Sequence, residues 1–212
     1  MTTYFIHVSK TGGSTIEYYL KQYKKVNIVT HVKQAKFDTK GRYYISLRNP
    51  VDRFISAFYY CLTEPDHAAW APAIEFYQKY NNSLEFLCEN IYNTNGELNN
   101  ETVHDLKKVY HDELKIPLHL GMDINWYIGD IVEQLTHDNV LGIICTETLN
   151  KDMKQLFNMD VQQKIRKNKN KKPLEKKYRD ILKRYLYKDY KCIQSLYDSQ
   201  IISTEQYNIL ST

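Results

Sequence analysis

Residues 9–15 combine a lysine, two adjacent glycines and several hydroxyl groups in one short stretch. They are Ser9, Lys10, Thr11, Gly12, Gly13, Ser14 and Thr15. Glycines let the backbone approach a ligand closely, and the free N–H groups and positive dipole at a helix start attract an anion. Lys10 adds a positive charge, and the hydroxyls of Thr11, Ser14 and Thr15 add donors. The stretch predicts a phosphate- or sulfate-binding loop, the alternative being a glycine-rich turn with a solvated lysine.

A second cluster of anion-binding side chains lies in residues 45–56. The guanidinium of Arg48 offers a planar fork that matches a phosphate group. Ser56 follows eight residues later, within reach of the same anion if the chain turns sharply at Pro50. Arg53 has a competing interpretation, in which it pairs with a nearby carboxylate and braces the turn.

The two clusters are flanked by segments that predict strands and helices. The apolar run Tyr4 to Val8 predicts a strand, and the apolar spacing after it predicts a helix from Ile16 to Lys24. Asn27 to Thr30 and Tyr43 to Leu47 predict two further short strands. A helix is predicted to open at Pro50, because Asn49 can cap it and proline suits the first helical position. Both clusters therefore follow a strand and precede a helix.

The rest of the chain continues the alternation of helices and strands. Residues 64–134 are mostly helical in pattern, with polar breaks near 80–82 and 93–100. A buried strand is predicted at Val140 to Cys145, a helix at Thr148 to Phe157 and a long helix at Leu174 to Asp198. This order predicts one domain, residues 1–212, with an α/β fold: a mainly parallel sheet flanked by helices, with a helical middle insertion.

The overall composition narrows the class of protein. Hydrophobic residues make up 42% and charged residues 25% of the 212 residues, which is typical of a globular domain. The formal net charge of +4 suits a site for anions but does not indicate a nucleic-acid-binding protein. No signal peptide or membrane span is visible, so a cytoplasmic protein is expected.

The four cysteines do not suggest a metal site. Cys61, Cys88, Cys145 and Cys192 are far apart and form no CxxC pair. We expect reduced, mostly buried thiols, with a disulfide between two of them as the alternative.

The two clusters together resemble a known family. FIHVSKTGGSTI is similar to the 5'-phosphosulfate loop of sulfotransferases that use PAPS (3'-phosphoadenosine-5'-phosphosulfate), and SLRNPVDRFISAFYY is similar to their 3'-phosphate motif. The resemblance is closest to the carbohydrate branch typified by heparan sulfate 2-O- and 6-O-sulfotransferases. It covers residues 4–60, with a weaker similarity in residues 141–157 and the helix that follows them. Ser9 stands where that family usually has proline, which we expect to loosen the start of the loop slightly.

The resemblance implies a fold, a co-substrate and roles for residues. The fold implied is P-loop-like, the co-substrate is PAPS, the product is PAP (its desulfated form), and no metal is needed. The 5'-phosphosulfate would be held by Lys10, Thr11, Gly12, Gly13, Ser14 and Thr15. Arg48 and Ser56 would hold the 3'-phosphate, and Lys10 would also stabilise the charge that develops on the leaving phosphate.

The acceptor hydroxyl also needs a general base, for which histidine is the usual residue near neutral pH. His31 is our candidate because it follows the second predicted strand, and the resemblance extends to a similar His-Val pair there. The alternative is a surface or packing role. His7, on the first strand, is expected to be structural, and nothing selects among the five remaining histidines.

Two further features have more than one interpretation. The basic stretch 164–172 is a solvated loop, a segment that closes over the nucleotide through Arg166, Lys167 and Lys169, or a binding site for an acidic glycan. Glu147 is expected to be structural, with a contact to the acceptor as the alternative.

The prediction is a PAPS-dependent sulfotransferase that acts on a hydroxyl of a glycan or small metabolite. One alternative is a nucleotide-binding module without transfer activity. Another is a nucleotide kinase, disfavoured because Lys10 precedes the glycines, whereas kinase loops have the order GxxxxGK[ST]. The carbohydrate-like motifs without a visible signal sequence also fit a compact microbial or viral enzyme.

Overall fold

The computed structural model describes residues 1–63, 71–108, 119–161 and 173–212. Its centre is a four-stranded, all-parallel sheet with the strand order β2-β1-β3-β4. The strands are β1 (Thr2–His7), β2 (Ile28–Thr30), β3 (Gly41–Leu47) and β4 (Val140–Cys145). The predicted α/β class and the parallel sheet are therefore confirmed.

Helices account for most of the remaining described chain. They are α1 (Gly13–Gln22), α2 (Pro50–Thr63), α3 (Ala71–Lys79), α4 (Leu84–Ile91), α5 (Asn100–Lys108), α6 (Ile124–Ile128), α7 (Leu149–Phe157), α8 (Lys176–Tyr185), α9 (Tyr187–Asp198) and α10 (Thr204–Ser211). The described part of residues 64–134 is helical with breaks near the predicted positions, so that prediction is also confirmed.

The register of the two central strands sets the position of the loop and of Arg48. β1 and β3 run parallel, with Thr2 opposite Gly41 and His7 opposite Ser46. Because both strands end at the same edge of the sheet, the segment after His7 and the segment after Leu47 leave the sheet side by side. The two anion-binding clusters predicted from the sequence begin at this edge.

The sheet is covered on both faces. One face carries Ile6 and Ile45 and packs on α6, α9 and α10. The other carries Phe5 and packs on α1 and α7. A separate apolar cluster joins α2 to α3, α4 and α8. The strand β1 is thus buried on both faces, which fits its nearly continuous apolar run.

Two parts of the helix prediction were wrong. The single long helix predicted from Leu174 to Asp198 is two helices, α8 and α9, separated at Leu186. The final helix, α10, was not predicted. The four cysteines are buried and free, as expected. Within the described ranges, no helix has the length and apolar character needed to cross a membrane.

Candidate functional site

The loop after β1 turns through two residues with positive φ. Lys10 has a φ of 65° and Gly12 a φ of 74°. The left-handed region is uncommon for a lysine, so the structure around Lys10 must hold it there. The carbonyl of Gly12 accepts hydrogen bonds from the N–H groups of Thr15 (3.0 Å) and Ile16 (3.3 Å), which starts α1.

The start of α1 has donors for an anion. In the described part of the chain, no backbone carbonyl accepts a hydrogen bond from the N–H of Gly13 or Ser14. These are first-turn amides at the positive end of the helix dipole. Ser14 is also exposed, so its hydroxyl is open to a ligand.

The hydroxyl of Thr11 makes hydrogen bonds within the protein and does not face the anion-binding side of the loop. Thr11 is fully buried, and its Oγ1 lies 2.6 Å from the carbonyl oxygen of Val8 and 2.7 Å from Oγ of Ser46. The hydroxyl therefore ties the loop to β3, and only the backbone of Thr11 remains as a donor for an anion. Thr15 is also buried, with 5% of its surface exposed.

The ammonium group of Lys10 rests on an aromatic ring. Its Nζ lies 3.2 Å from the centroid of the Tyr60 ring, a distance typical of a cation–π contact. Tyr60 belongs to α2, the helix that follows the second anion-binding cluster. Tyr60 had no predicted role, since nothing local indicates which aromatic ring of α2 faces the loop.

Arg48 connects the two predicted clusters directly. Its Nη1 donates a hydrogen bond of 3.2 Å to the carbonyl oxygen of Lys10. Its Nε lies 3.8 Å from Oε1 of Glu147 and, among the described residues, donates no hydrogen bond. Burial lowers the pKa of the Arg48 guanidinium. A half-buried cation with an unused donor, beside a loop whose first-turn amides bind no backbone carbonyl in the described chain, is suited to an anionic ligand.

Glu147 accompanies Arg48 from the end of β4. Its Oε1 accepts a hydrogen bond of 3.3 Å from the N–H of Asn49, and burial raises the pKa of its carboxyl. Glu147 therefore holds Arg48 and the start of α2 together, in agreement with the structural role expected for it.

The helix α2 begins as predicted. The side-chain oxygen of Asn49 accepts a hydrogen bond of 3.1 Å from the N–H of Asp52 and caps the helix. Ser56 lies on the buried side of α2, with 5% of its surface exposed. Its assignment to a 3'-phosphate remains a prediction.

Arg53 braces the loop through neutral groups. Its side chain is fully buried, and its Nη1 donates to Oγ of Ser9 (3.3 Å) and to the carbonyl oxygen of His119 (3.1 Å). Bracing was expected, but the hydrogen bonds found in the described chain go to a hydroxyl and a carbonyl, not to a carboxylate. The hydroxyl of Ser9 is buried and accepts the hydrogen bond from Arg53, while the loosening expected at Ser9 stays a prediction.

His31 follows β2 and points toward the end of β1. Its Nδ1 lies 3.2 Å from the carbonyl oxygen of His7. A carbonyl can only accept, so Nδ1 carries the hydrogen and Nε2 keeps the lone pair of the neutral ring. Burial, and then repulsion from the imidazole of His7, lower the pKa of His31 to about 4. At neutral pH this imidazole is uncharged and able to accept a proton.

His7 contacts His31, and Glu17 in turn contacts His7. The rings of His7 and His31 are stacked, with centroids 3.8 Å apart. Nδ1 of His7 lies 3.2 Å from Oε2 of Glu17, and Nζ of Lys21 lies 2.6 Å from Oε1 of the same carboxylate. The hydrogen bond from His7 lowers the pKa of Glu17 to about 2, with Lys21 contributing further. Glu17 was not among the residues predicted from the sequence.

Of the remaining histidines, His67 and His111 lie outside the described residues, and among the described ones the structure brings His119 close to His31. The ring of His119 lies 6.1 Å from that of His31 and 5.8 Å from that of Tyr60. His104 lies on α5, and His137 is exposed. His119 precedes α6 in sequence and reaches the loop only through tertiary contacts, so no local pattern could have identified it.

A separate concavity lies on the opposite face of the sheet. It has a volume of about 620 Å³, and its lining includes Tyr4, Ile6, Tyr43 and Trp126. Because Tyr4 and Ile6 alternate with His7 along β1, their side chains point away from the face that carries the stacked histidines. This cavity is therefore not part of the loop site.

Some predictions lie outside the described residues. Arg166, Lys167 and Lys169 belong to the undescribed segment 162–172. In the ranges that are described, no group of three or more His, Cys, Asp or Glu side chains is placed to hold a metal ion. No protein-family model, curated protein or solved structure matches this chain.

Proposed function

We propose that this protein is a PAPS-dependent sulfotransferase that transfers a sulfuryl group to a hydroxyl of a glycan or small-molecule acceptor. The observation that supports it most is the hydrogen bond from Arg48 to the carbonyl of Lys10. It joins the two predicted phosphate-binding clusters at one edge of the sheet, where His31 is also found. One nucleotide with phosphates at both ends can then contact both clusters.

The donors at this edge fit the charges of PAPS. The first-turn amides of α1 and the ammonium of Lys10 would hold the 5'-phosphosulfate, as in a P-loop-like fold. Arg48 and Ser56 would hold the 3'-phosphate. The cation–π contact with Tyr60 holds the ammonium of Lys10 beside the loop, where it can meet an incoming sulfate or phosphate.

In the proposed reaction, Nε2 of His31 accepts the proton of the acceptor hydroxyl. The acceptor oxygen bonds to sulfur as the bond between sulfur and the bridging oxygen breaks on the opposite side. Lys10 and the amides of α1 stabilise the negative charge that builds up on the departing phosphate. Losing one such preorganised donor typically costs roughly 100- to 1000-fold in rate.

The protonation state of His31 suits this role. Its low pKa keeps Nε2 unprotonated at neutral pH. Binding of a nucleotide with several negative charges nearby would favour the protonated imidazole and raise that pKa, which makes His31 a stronger base in the complex than in the free protein.

The direct test uses PAPS carrying a labelled sulfuryl group together with a panel of hydroxylated glycans and small molecules. We expect label in at least one acceptor, at a rate that falls about 100- to 10,000-fold in His31→Ala. His137→Ala, at an exposed histidine, is the matched control and should leave the rate unchanged. Binding of PAP without any transfer would instead favour a nucleotide-binding module. ATP-dependent phosphorylation lost in Lys10→Ala would favour a kinase.

A further inference from the structure

His7 is enclosed between the anion-binding loop and His31. It is the last residue of β1 and only 4% exposed. Its ring stacks on that of His31 with an angle of 16° between the planes, and on the ring of Phe5 at a centroid distance of 5.7 Å. Its Nδ1 is bound to Glu17 on α1. Contacts on several sides leave the ring little freedom to move.

The same ring explains why residue 13 is a glycine. A β-carbon on Gly13 would lie 1.8 Å from Cδ2 and 2.1 Å from Nε2 of His7, far inside contact distance. Gly12 needs to be glycine because its φ is positive, but Gly13 has no positive φ and begins an α-helix. Alanine would therefore suit the backbone at position 13, but its β-carbon would collide with the His7 ring.

We propose that His7 is a positioning residue, whose imidazole acts as a spacer that sets the distance between the anion-binding loop and the base His31, with Glu17 fixing its orientation. The proposal rests on the proposed function in one respect, the role of His31 as the base. His7 acts on His31 twice, since its carbonyl fixes the Nδ1–H tautomer and its ring fixes the plane of the His31 ring.

The charged groups around His31 predict the effect of removing His7. They are His7 on β1, Glu17 with its partner Lys21 on α1, Lys10 in the loop, and the titratable ring of His119 before α6. The imidazole of His7 and the ammonium of Lys10 oppose protonation of His31, whereas the carboxylate of Glu17 favours it. Without the His7 ring, its contribution to lowering the pKa of His31 is lost while the carboxylate of Glu17 still favours protonation, so the pKa of His31 rises.

The first experiment is an NMR titration of the histidine rings in the full chain, comparing wild type with His7→Phe and His7→Gln. Phenylalanine keeps a stacking ring, and glutamine keeps a hydrogen-bond donor toward Glu17. We expect the pKa of His31 to rise in both variants toward the ordinary value of about 6.5. An unchanged His31 titration in both variants overturns the proposal. Because this readout needs no transfer, it is independent of the proposed function.

The second experiment is a double-mutant cycle between His7 and Gly13, read out by PAP affinity and sulfuryl transfer. Gly13→Ala alone should lower the transfer rate by up to about 100-fold, because it displaces the His7 ring and with it His31. His7→Ala should remove most of the penalty of the alanine at position 13, so that the double variant resembles His7→Ala alone. Additive effects overturn the proposal. If Gly13→Ala does not fold, recovery of folding in the double variant supports the spacer role equally, and its absence contradicts it.

The two proposals can fail separately. A wild-type protein that transfers no sulfuryl group, yet shows the His31 pKa rise in His7→Phe, would refute the proposed function and leave the coupling of the rings intact. Normal transfer in wild type, together with a His31 titration that does not change when His7 is replaced, would support the proposed function and refute the spacer role of His7.

Discussion

At the scale of single residues, the site depends on Arg48 reaching the backbone of Lys10. Nη1 of Arg48 donates a hydrogen bond to that carbonyl, and its Nε lies 3.8 Å from the carboxylate of Glu147. The buried Nε has no hydrogen-bond partner in the described chain. A buried cation without full compensation is costly unless something else stabilises it. An anionic ligand at this point would supply the missing partner.

Arg48→Ala should therefore weaken PAP binding. The 3'-phosphate would lose a charge-assisted partner worth roughly 1.5–3 kcal/mol, which is about a 10- to 150-fold loss of affinity. Calorimetric titration measures this loss. The matched control is Arg42→Ala, because Arg42 lies near the start of β3, at the opposite end of the same strand. Equal affinities for wild type and Arg48→Ala would remove Arg48 from the site.

The pH dependence of His31 gives a second prediction. Its pKa in the folded protein is lowered to about 4, so transfer should increase as the pH rises through the pKa of His31 in the complex and then level off. PAP should shift that pKa upward, because its phosphates favour the protonated imidazole. NMR titration of His31 with and without PAP tests this. A pKa that stays the same or falls on PAP binding would place the phosphates elsewhere.

The sequence could predict which residue types form this site but not all of their partners. Lys10, Arg48 and His31 each follow a short strand, and parallel strands that end at one edge bring such residues together. Tyr60 and His119 reach the site through the packing of helices, which leaves no local pattern. The hydroxyl of Thr11 was assigned to the anion although it bonds to Ser46, because its direction depends on the register of β1 and β3.

At the scale of elements, α2 carries both Tyr60 and Arg53 and starts at Pro50, two residues after Arg48. The position of its first turn therefore determines where these side chains meet the loop. Asn49 fixes that turn by capping the helix, and its Nδ2 also donates a hydrogen bond of 3.2 Å to the carbonyl oxygen of Leu210 in α10.

Removing the cap should destabilise the protein and weaken the site together. Asn49→Ala should lower the free energy of unfolding by about 1–2 kcal/mol, because it removes the cap and the bond to α10. Asn49→Ser keeps an oxygen that can cap the helix and should lose less. Urea unfolding of both variants measures the difference. Equal destabilisation by alanine and serine would show that the cap contributes nothing.

The break between α8 and α9 shows where element prediction failed. Residues 176–198 contain neither proline nor glycine, so their pattern reads as one helix. In the fold, Leu182 and Leu186 pack with α2, whereas Ile193 and Leu196 pack under the sheet. The chain changes direction at Leu186 because α8 packs in one apolar cluster and α9 packs in another. That requirement is set by tertiary packing, which a periodicity analysis of one segment does not capture.

At the scale of the whole molecule, Arg53 lies in a buried charged cluster that joins the loop to α6 and α9. Its Nε and Nη2 and the Oδ2 of Asp189 are buried and, within the described residues, make no hydrogen bond. Asp189 accepts a hydrogen bond of 2.9 Å from the N–H of Asn125 through Oδ1. Burial raises the pKa of both Asp189 and Asp123. The free energy of unfolding should therefore depend on pH through these two carboxyl groups.

Asp189→Asn should reveal that dependence. Because the pKa of Asp189 is raised in the folded state, its contribution to stability is complete at pH values below its unfolded pKa of about 4. That contribution is lost as the pH rises toward the folded-state pKa. Asparagine does not titrate, so the variant should gain stability relative to wild type between pH 4 and neutrality. Urea unfolding at several pH values tests this, and a difference that is independent of pH would contradict it.

The most direct test of the central claim is a calorimetric comparison of PAP with adenosine 5'-phosphate and adenosine 3'-phosphate on the wild-type protein. If Lys10 and Arg48 hold opposite ends of one nucleotide, PAP should bind one to one, and each missing phosphate should weaken binding by roughly tenfold or more. Failure to bind PAP, or equal affinity for all three nucleotides, would contradict the account.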